Sequence, residues 1–133
     1  MNIKEIEGIG PAWAEKLETA GVKTVAKLLE NGATPTGRKN LAETTGINES
    51  KILDWTNMAD LFRINGVAGQ FAELLKASGV DTVKELRNRN AENLHAKLTE
   101  VNAEKSLTRV VPNVDKVTDF IDQAKNLDPK ITY

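Results

Sequence analysis

The chain has 133 residues, of which 40% are hydrophobic and 28% charged, with a formal net charge of −1 and no cysteine. That balance belongs to a folded globular protein, with length for one ordinary domain or two very small ones. It excludes disulfides, thiol catalysis and thiolate metal sites, and it excludes a strongly basic nucleic-acid binder acting by bulk electrostatics.

The opening "MNIKEIEG" lacks the apolar core of a signal peptide and no apolar run approaches a membrane span, so a cytoplasmic protein is expected. Next comes "GIGPAWAEKLETAG", two glycines and a proline ahead of a helical pattern. Trp13, Leu17 and Ala20 fall on one face, with Glu15 and Lys16 turned away. Pro11 suits the first turn, where a missing N–H costs little, and Gly21 suits the end. "VKTVAKLLENG" carries Val22, Val25, Leu28 and Leu29 on one stripe, with Thr24 as the N-cap of a second short helix. "TPTGRKNLAETTG" predicts a third helix closed by Gly46. The longest periodic run is "NESKILDWTNMADLFRI", with Ile52, Trp55, Ala59 and Phe62 in register and Asn48 or Ser50 as cap. No segment alternates as a half-buried strand does, so the expected fold is all-α.

The chain repeats itself. Shifted by 58 residues, "IEGIGPAWAEKLETAGVKTVAKL" lies over "INGVAGQFAELLKASGVDTVKEL". Gly8 meets Gly66, Leu17 meets Leu75, Gly21 meets Gly79 and Thr24 meets Thr82, while Trp13 over Phe71 keeps an aromatic in place. "LAETTGINESKILDW" is a weaker copy with Thr45, Gly46 and Ile47 at its turn. "LHAKLTEVNAEKSL" reads as a degenerate fourth copy in which Asn102 replaces the turn glycine.

A glycine–hydrophobic–glycine turn, then alanine four residues on and leucine three further, resembles the helix-hairpin-helix motif. "GIGPAWAEKL" matches through Gly8, Ile9, Gly10, Ala14 and Leu17; "GVAGQFAELL" departs once, with Ala68 for the second glycine. The whole chain, above all "ADLFRINGVAGQFAELLKASGVDTVKELRNRNAENLHAKLTEVN", resembles a bacterial family known as domain of unknown function 4332. The resemblance implies tandem helix-hairpin-helix units, two pseudo-repeats in a SAM-like helical bundle. The units are expected at 1–63 and 50–133, sharing a long helix over 50–63.

It also implies a mechanism. A side-chain-free hairpin lets a phosphate approach backbone N–H groups at the positive end of a helix dipole, and such contacts read the backbone without reading the bases. The donors expected in the first copy are Ile9, Gly10 and Ala12 with Lys16 behind them. In the second they are Val67, Ala68 and Gly69, following Gly66, with Lys76. Gly46 and Asn48 with Lys51 form a third set. Glu7 and Glu15 crowd the first hairpin, whereas Asn65 and Gln70 flank the second, which is therefore expected to be the stronger. The same glycines also serve as tight corners between helices, and both readings stand at this point. "TGRKN" with Arg38 and Lys39, and "KELRNRN" with Lys84, Arg87 and Arg89, add basic clusters, for which solvated helix faces are the commoner explanation. Trp13, Trp55, Phe62 and Phe71 read as core and not as stacking platforms.

One histidine, His95, and no thiol give nucleophilic catalysis no constellation, and Asp119 and Asp122 follow helical spacing without grouping into a metal site. No enzyme activity and no cofactor are expected; the resemblance allows a monovalent cation on hairpin carbonyls. The expected function is weak, sequence-independent binding to the backbone of double-stranded DNA. The alternative is a protein-interaction scaffold or assembly module. Oligomeric state is not read from the sequence.

Overall fold

The computed structural model describes residues 1–133 and is all-helical. A 3₁₀ turn at Ile3–Glu5 is followed by α1 (Pro11–Thr19), α2 (Val25–Gly32), α3 (Pro35–Thr45), α4 (Glu49–Leu61), α5 (Gly69–Ala77), α6 (Val83–Leu86), α7 (Ala91–Lys105) and α8 (Val114–Lys125). The sole β-type pairing is an isolated bridge between Asn2 and Thr24. The chain divides into two compact units, Met1–Asp60 with Lys130–Tyr133, and Leu61–Pro129.

In the first unit, Ile3, Ile6, Leu17, Val22, Leu28, Ile52 and Met58 are fully enclosed, which is the apolar periodicity of the sequence turned inward. The glycines set the chain direction. Gly8 and Gly21 take φ of 95° and 88°, open without strain to a residue that has no Cβ, and Gly46 closes α3 in the left-handed region. Thr24 caps α2 by accepting a bond from the Lys27 amide, and Pro35 occupies the start of α3 behind the Thr34 cap. α2 passes so close to α4 that a Cβ on Gly32 would collide with the Thr56 side chain. Trp55 is only 5% exposed, so it belongs to the core.

The second unit repeats these hydrogen bonds 58 residues later. Ile9 donates to Ile6 and Val67 to Ile64; Ala14 donates to Gly10 and Ala72 to Ala68; Val22 donates to Leu17 and Val80 to Leu75. Thr82 caps α6 through the Glu85 amide as Thr24 caps α2. Gly66 and Gly79 take φ of 97° and 93°. Its core is built from Leu74, Leu86, Leu98, Val117 and Phe120, with α8 packed against α6 and α7.

One expectation is corrected here. The fourth copy is no hairpin: Ala91–Lys105 is one continuous helix, ending at Ser106 with φ 51°. Leu94, Leu98 and Val101 keep a single buried stripe through that segment, so nothing breaks it at Asn102. Asn102 instead grips the returning chain, its Oδ1 accepting from the Thr108 amide at 2.9 Å and its Nδ2 donating to the Thr108 carbonyl at 3.0 Å. The long helix expected over 50–63 is α4, which ends at Leu61 with Phe62 and Arg63 in the following turn.

Candidate nucleic-acid interface

Two helices begin differently from the rest. The 3₁₀ turn and α2, α3, α6, α7 and α8 are capped by the side chains of Asn2, Thr24, Thr34, Thr82, Asn90 and Asn113 respectively. At the start of α4, Asn48 accepts from the Ser50 amide at 2.7 Å. Only α1 and α5 start without a side-chain cap, behind Gly10 and Ala68. Their first internal bonds run from Ala14 to Gly10 and from Ala72 to Ala68. First-turn amides are therefore left without an intrahelical partner: Ala12 and Trp13 in α1, and Gly69, Gln70 and Phe71 in α5. Pro11 has no N–H to offer, while Gly69 in the same place has one, so α5 presents the fuller set of donors.

Several residues assigned from sequence are committed elsewhere. The Ile9 and Val67 amides bond within their own turns, to Ile6 and Ile64, and both side chains are core. The Gly46 amide closes α3 on Ala42. Arg38 is a buried structural residue at 6% exposure, its Nη1 donating to the Gly32 carbonyl and its Nη2 to the Thr132 carbonyl, each at 2.8 Å. Arg89, partly exposed, donates to Glu85 Oε1 and the Gly79 carbonyl, so it steadies a helix corner. Lys76 lies in the last turn of α5, about 10 Å along the axis from Gly69 at 1.5 Å per residue. Lys39 is exposed and Arg87 half-exposed.

The lysines near the uncapped ends come partly from other helices. In the first unit, Trp13 of α1 and Trp55 of α4 meet with ring centroids 6.0 Å apart. Lys16 Nζ and Lys51 Nζ each stand 5.5 Å from the Trp13 centroid, and Lys51 is also 5.9 Å from that of Trp55. In the second unit, Phe71 of α5 meets Phe120 of α8 at 6.5 Å, and Lys116 lies 6.0 Å from the Phe120 centroid. Lys116 Nζ is 3.7 Å from where a Cβ on Gly66 would stand, which puts this charge at the turn itself. Open clefts adjoin both helices. One of about 380 Å³ is bordered by Ala12, Lys16 and Thr45, and one of about 540 Å³ by Phe71, Pro112 and Lys116.

Lys116 escaped the sequence reading, although a signal was there. "NESKILDW" and "NVDKVTDF" share Asn, Lys, Asp and an aromatic at positions 1, 4, 7 and 8, and each places its lysine one turn before the ring. A search for glycine turns passes over it.

An all-helical chain in two units, each with an uncapped helix after a left-handed glycine, is the class that these observations define. The chain belongs to the family described as domain of unknown function (DUF4332), which matches residues 7–127. No curated protein and no solved structure matches it. No helix is long and apolar enough to cross a membrane.

Proposed function

We propose that the chain is a non-enzymatic helix-hairpin-helix protein that binds the phosphate backbone of double-stranded DNA weakly and without regard to base sequence. The observation that carries this reading is the pairing of uncapped helix starts with lysines: α1 and α5 alone keep their first-turn amides unclaimed by a side chain, Lys51 stands against the Trp13 ring in the first turn of α1, and Lys116 approaches the turn before α5. Amide groups at the positive end of a helix, with ammonium groups alongside, are suited to a phosphate and carry no information about bases. The proposed donors are the amides of Gly10, Ala12 and Trp13 with Lys16 and Lys51, and those of Ala68, Gly69, Gln70 and Phe71 with Lys116.

The formal charge of −1 keeps such binding weak. A labelled duplex titrated at low and at moderate salt tests the reading, with an expected dissociation constant on the order of 10⁻⁴–10⁻⁶ M at physiological salt. Lys116→Glu, an exposed change, is expected to weaken binding and to flatten the salt dependence by about one unit of slope. Absence of binding at low salt would replace this reading with an assembly module. The feature favouring that second reading is Val110, 71% exposed at the edge of the apolar cleft with Phe71 and Pro112.

A further inference from the structure

We infer that the first unit holds its phosphate with a side-chain donor from a different helix, the indole N–H of Trp55, framed by the ammonium groups of Lys16 and Lys51. The inference rests on the backbone-binding reading for the identity of the ligand, and on the following geometry for the site.

Trp55 is 5% exposed, yet its N–H finds no acceptor within the protein. The one fully enclosed side-chain polar atom without a partner is Ser78 Oγ, so the indole nitrogen must keep access to the surface. The nitrogen sits against the turn before α1, with Nε1 3.5 Å from the point where a Cβ on Gly8 would stand. A Cβ at residue 8 would rest in ordinary contact with this nitrogen and cover part of its open side, which glycine leaves bare.

Charge lies nearby: Lys51 Nζ is 5.9 Å from the Trp55 centroid, and Trp13 meets the same ring. Lys16 from α1 and Lys51 from α4 both stand 5.5 Å from the centroid of the Trp13 ring, and neither is paired with a carboxylate. Neither ammonium group is neutralised within the protein, so both are available to an oxyanion beside these rings. Packing alone does not call for the nitrogen. In the second unit Phe120 takes the corresponding place, its Cε1 3.1 Å from a Cβ on Gly66, with the single charge of Lys116 beside it. A phenyl ring fills that position without an N–H. The first site therefore has an indole donor and two cations, and the second has neither the donor nor the second cation. This ranks the first unit as the stronger phosphate site, the reverse of the order expected from flanking charges in the sequence.

The test follows the two indole N–H resonances of the intact chain during titration with a short duplex and, separately, with inorganic phosphate against chloride at matched ionic strength. Trp13→Phe assigns the signals. The Trp55 resonance is expected to move with duplex and with phosphate, and Trp55→Phe, which copies the second unit and retains the packing, is expected to bind duplex about tenfold more weakly. A duplex that binds while the Trp55 resonance stays still and Trp55→Phe binds as the parent does would overturn this inference and leave backbone binding intact. Failure of the parent to bind duplex at low salt, with no response to phosphate, would overturn both. Because the resonance is read in the parent, a poorly folded variant does not blunt the result.

Discussion

A methyl group added at Gly8 is forced onto a backbone with φ 95°, whereas one added at Gly10 meets φ −78° and open space. The left-handed region costs an ordinary residue about 1–2 kcal/mol, so Gly8→Ala is expected to destabilise by that amount in urea unfolding. Gly10→Ala gains by restricting the unfolded chain and loses a tolerable N-cap residue, two effects of about 0.5–1 kcal/mol that oppose each other. It is expected to lie within about 0.5 kcal/mol of the parent. Gly66→Ala adds a 3.1 Å approach to Phe120 on top of its φ of 97° and is expected to be the most damaging of the three. A loss at Gly10 equal to that at Gly8 would refute this ordering. The two glycines of "GIGP" are thus unequal, and the string itself gives no means of telling them apart. Ala68 in the second copy is a clue in hindsight, since the second glycine position is extended backbone that alanine adopts freely. Arg38 was illegible for a different reason. A guanidinium in "TGRKN" looks like surface charge until the carbonyls of Gly32 and Thr132 close around it.

At the scale of the helix, local rules carried far. The caps at Thr24 and Asn48, the stop at Gly46 and the run of α4 are all set by residues within a turn of the event, and a one-dimensional reading finds such things. Asn102 reads as a turn residue because its partner Thr108 lies beyond the end of α7, where no periodicity points to it. What local rules do not supply is an account of the two missing caps, and that absence can be engineered. Ala68 is exposed and has φ −125° and ψ −171°, the extended conformation an N-cap serine requires. Ala68→Ser is expected to raise stability by about 0.5–1 kcal/mol by accepting from a first-turn amide of α5. If those amides serve a phosphate, the same hydroxyl competes for them, so the more stable protein should bind duplex less well. A stabilised variant with unchanged affinity would mean that α5 merely begins at a corner.

Across the whole chain, sequence distance and spatial distance part company at the C-terminal segment. Lys130–Tyr133 belongs to the first unit, although the second unit intervenes in sequence. The Thr132 amide donates to the Ala33 carbonyl at 2.8 Å, Arg38 reaches the Thr132 carbonyl across 94 positions of sequence, and Tyr133 Oη donates to Asn57 Oδ1 at 3.2 Å. Ile131 is buried between these bonds. No repeat and no hydrophobic period in "DPKITY" announces the return, because its partners are single carbonyls and one guanidinium on other helices. Deleting residues 131–133 removes the burial of Ile131 and these bonds, and it leaves the buried guanidinium of Arg38 with the Gly32 carbonyl alone. The expected loss is about 2–4 kcal/mol, from one apolar side chain and several hydrogen bonds, one of them to a charged group. Both tryptophans of the chain, Trp13 and Trp55, lie in the first unit, so indole fluorescence reports that unit without contribution from the second. With a slope of about 1–3 kcal/mol per molar urea, the fluorescence midpoint should fall by roughly 1–2 M. Arg38→Met should reproduce a large part of that fall while leaving duplex affinity unchanged, since the guanidinium faces two carbonyls and no solvent-side ligand. Lys16→Glu should do the opposite, holding the midpoint within about 0.5 kcal/mol of the parent and weakening the duplex complex. If truncation left the fluorescence midpoint where it was, the returning segment would be an ornament of the first unit and not part of its stability.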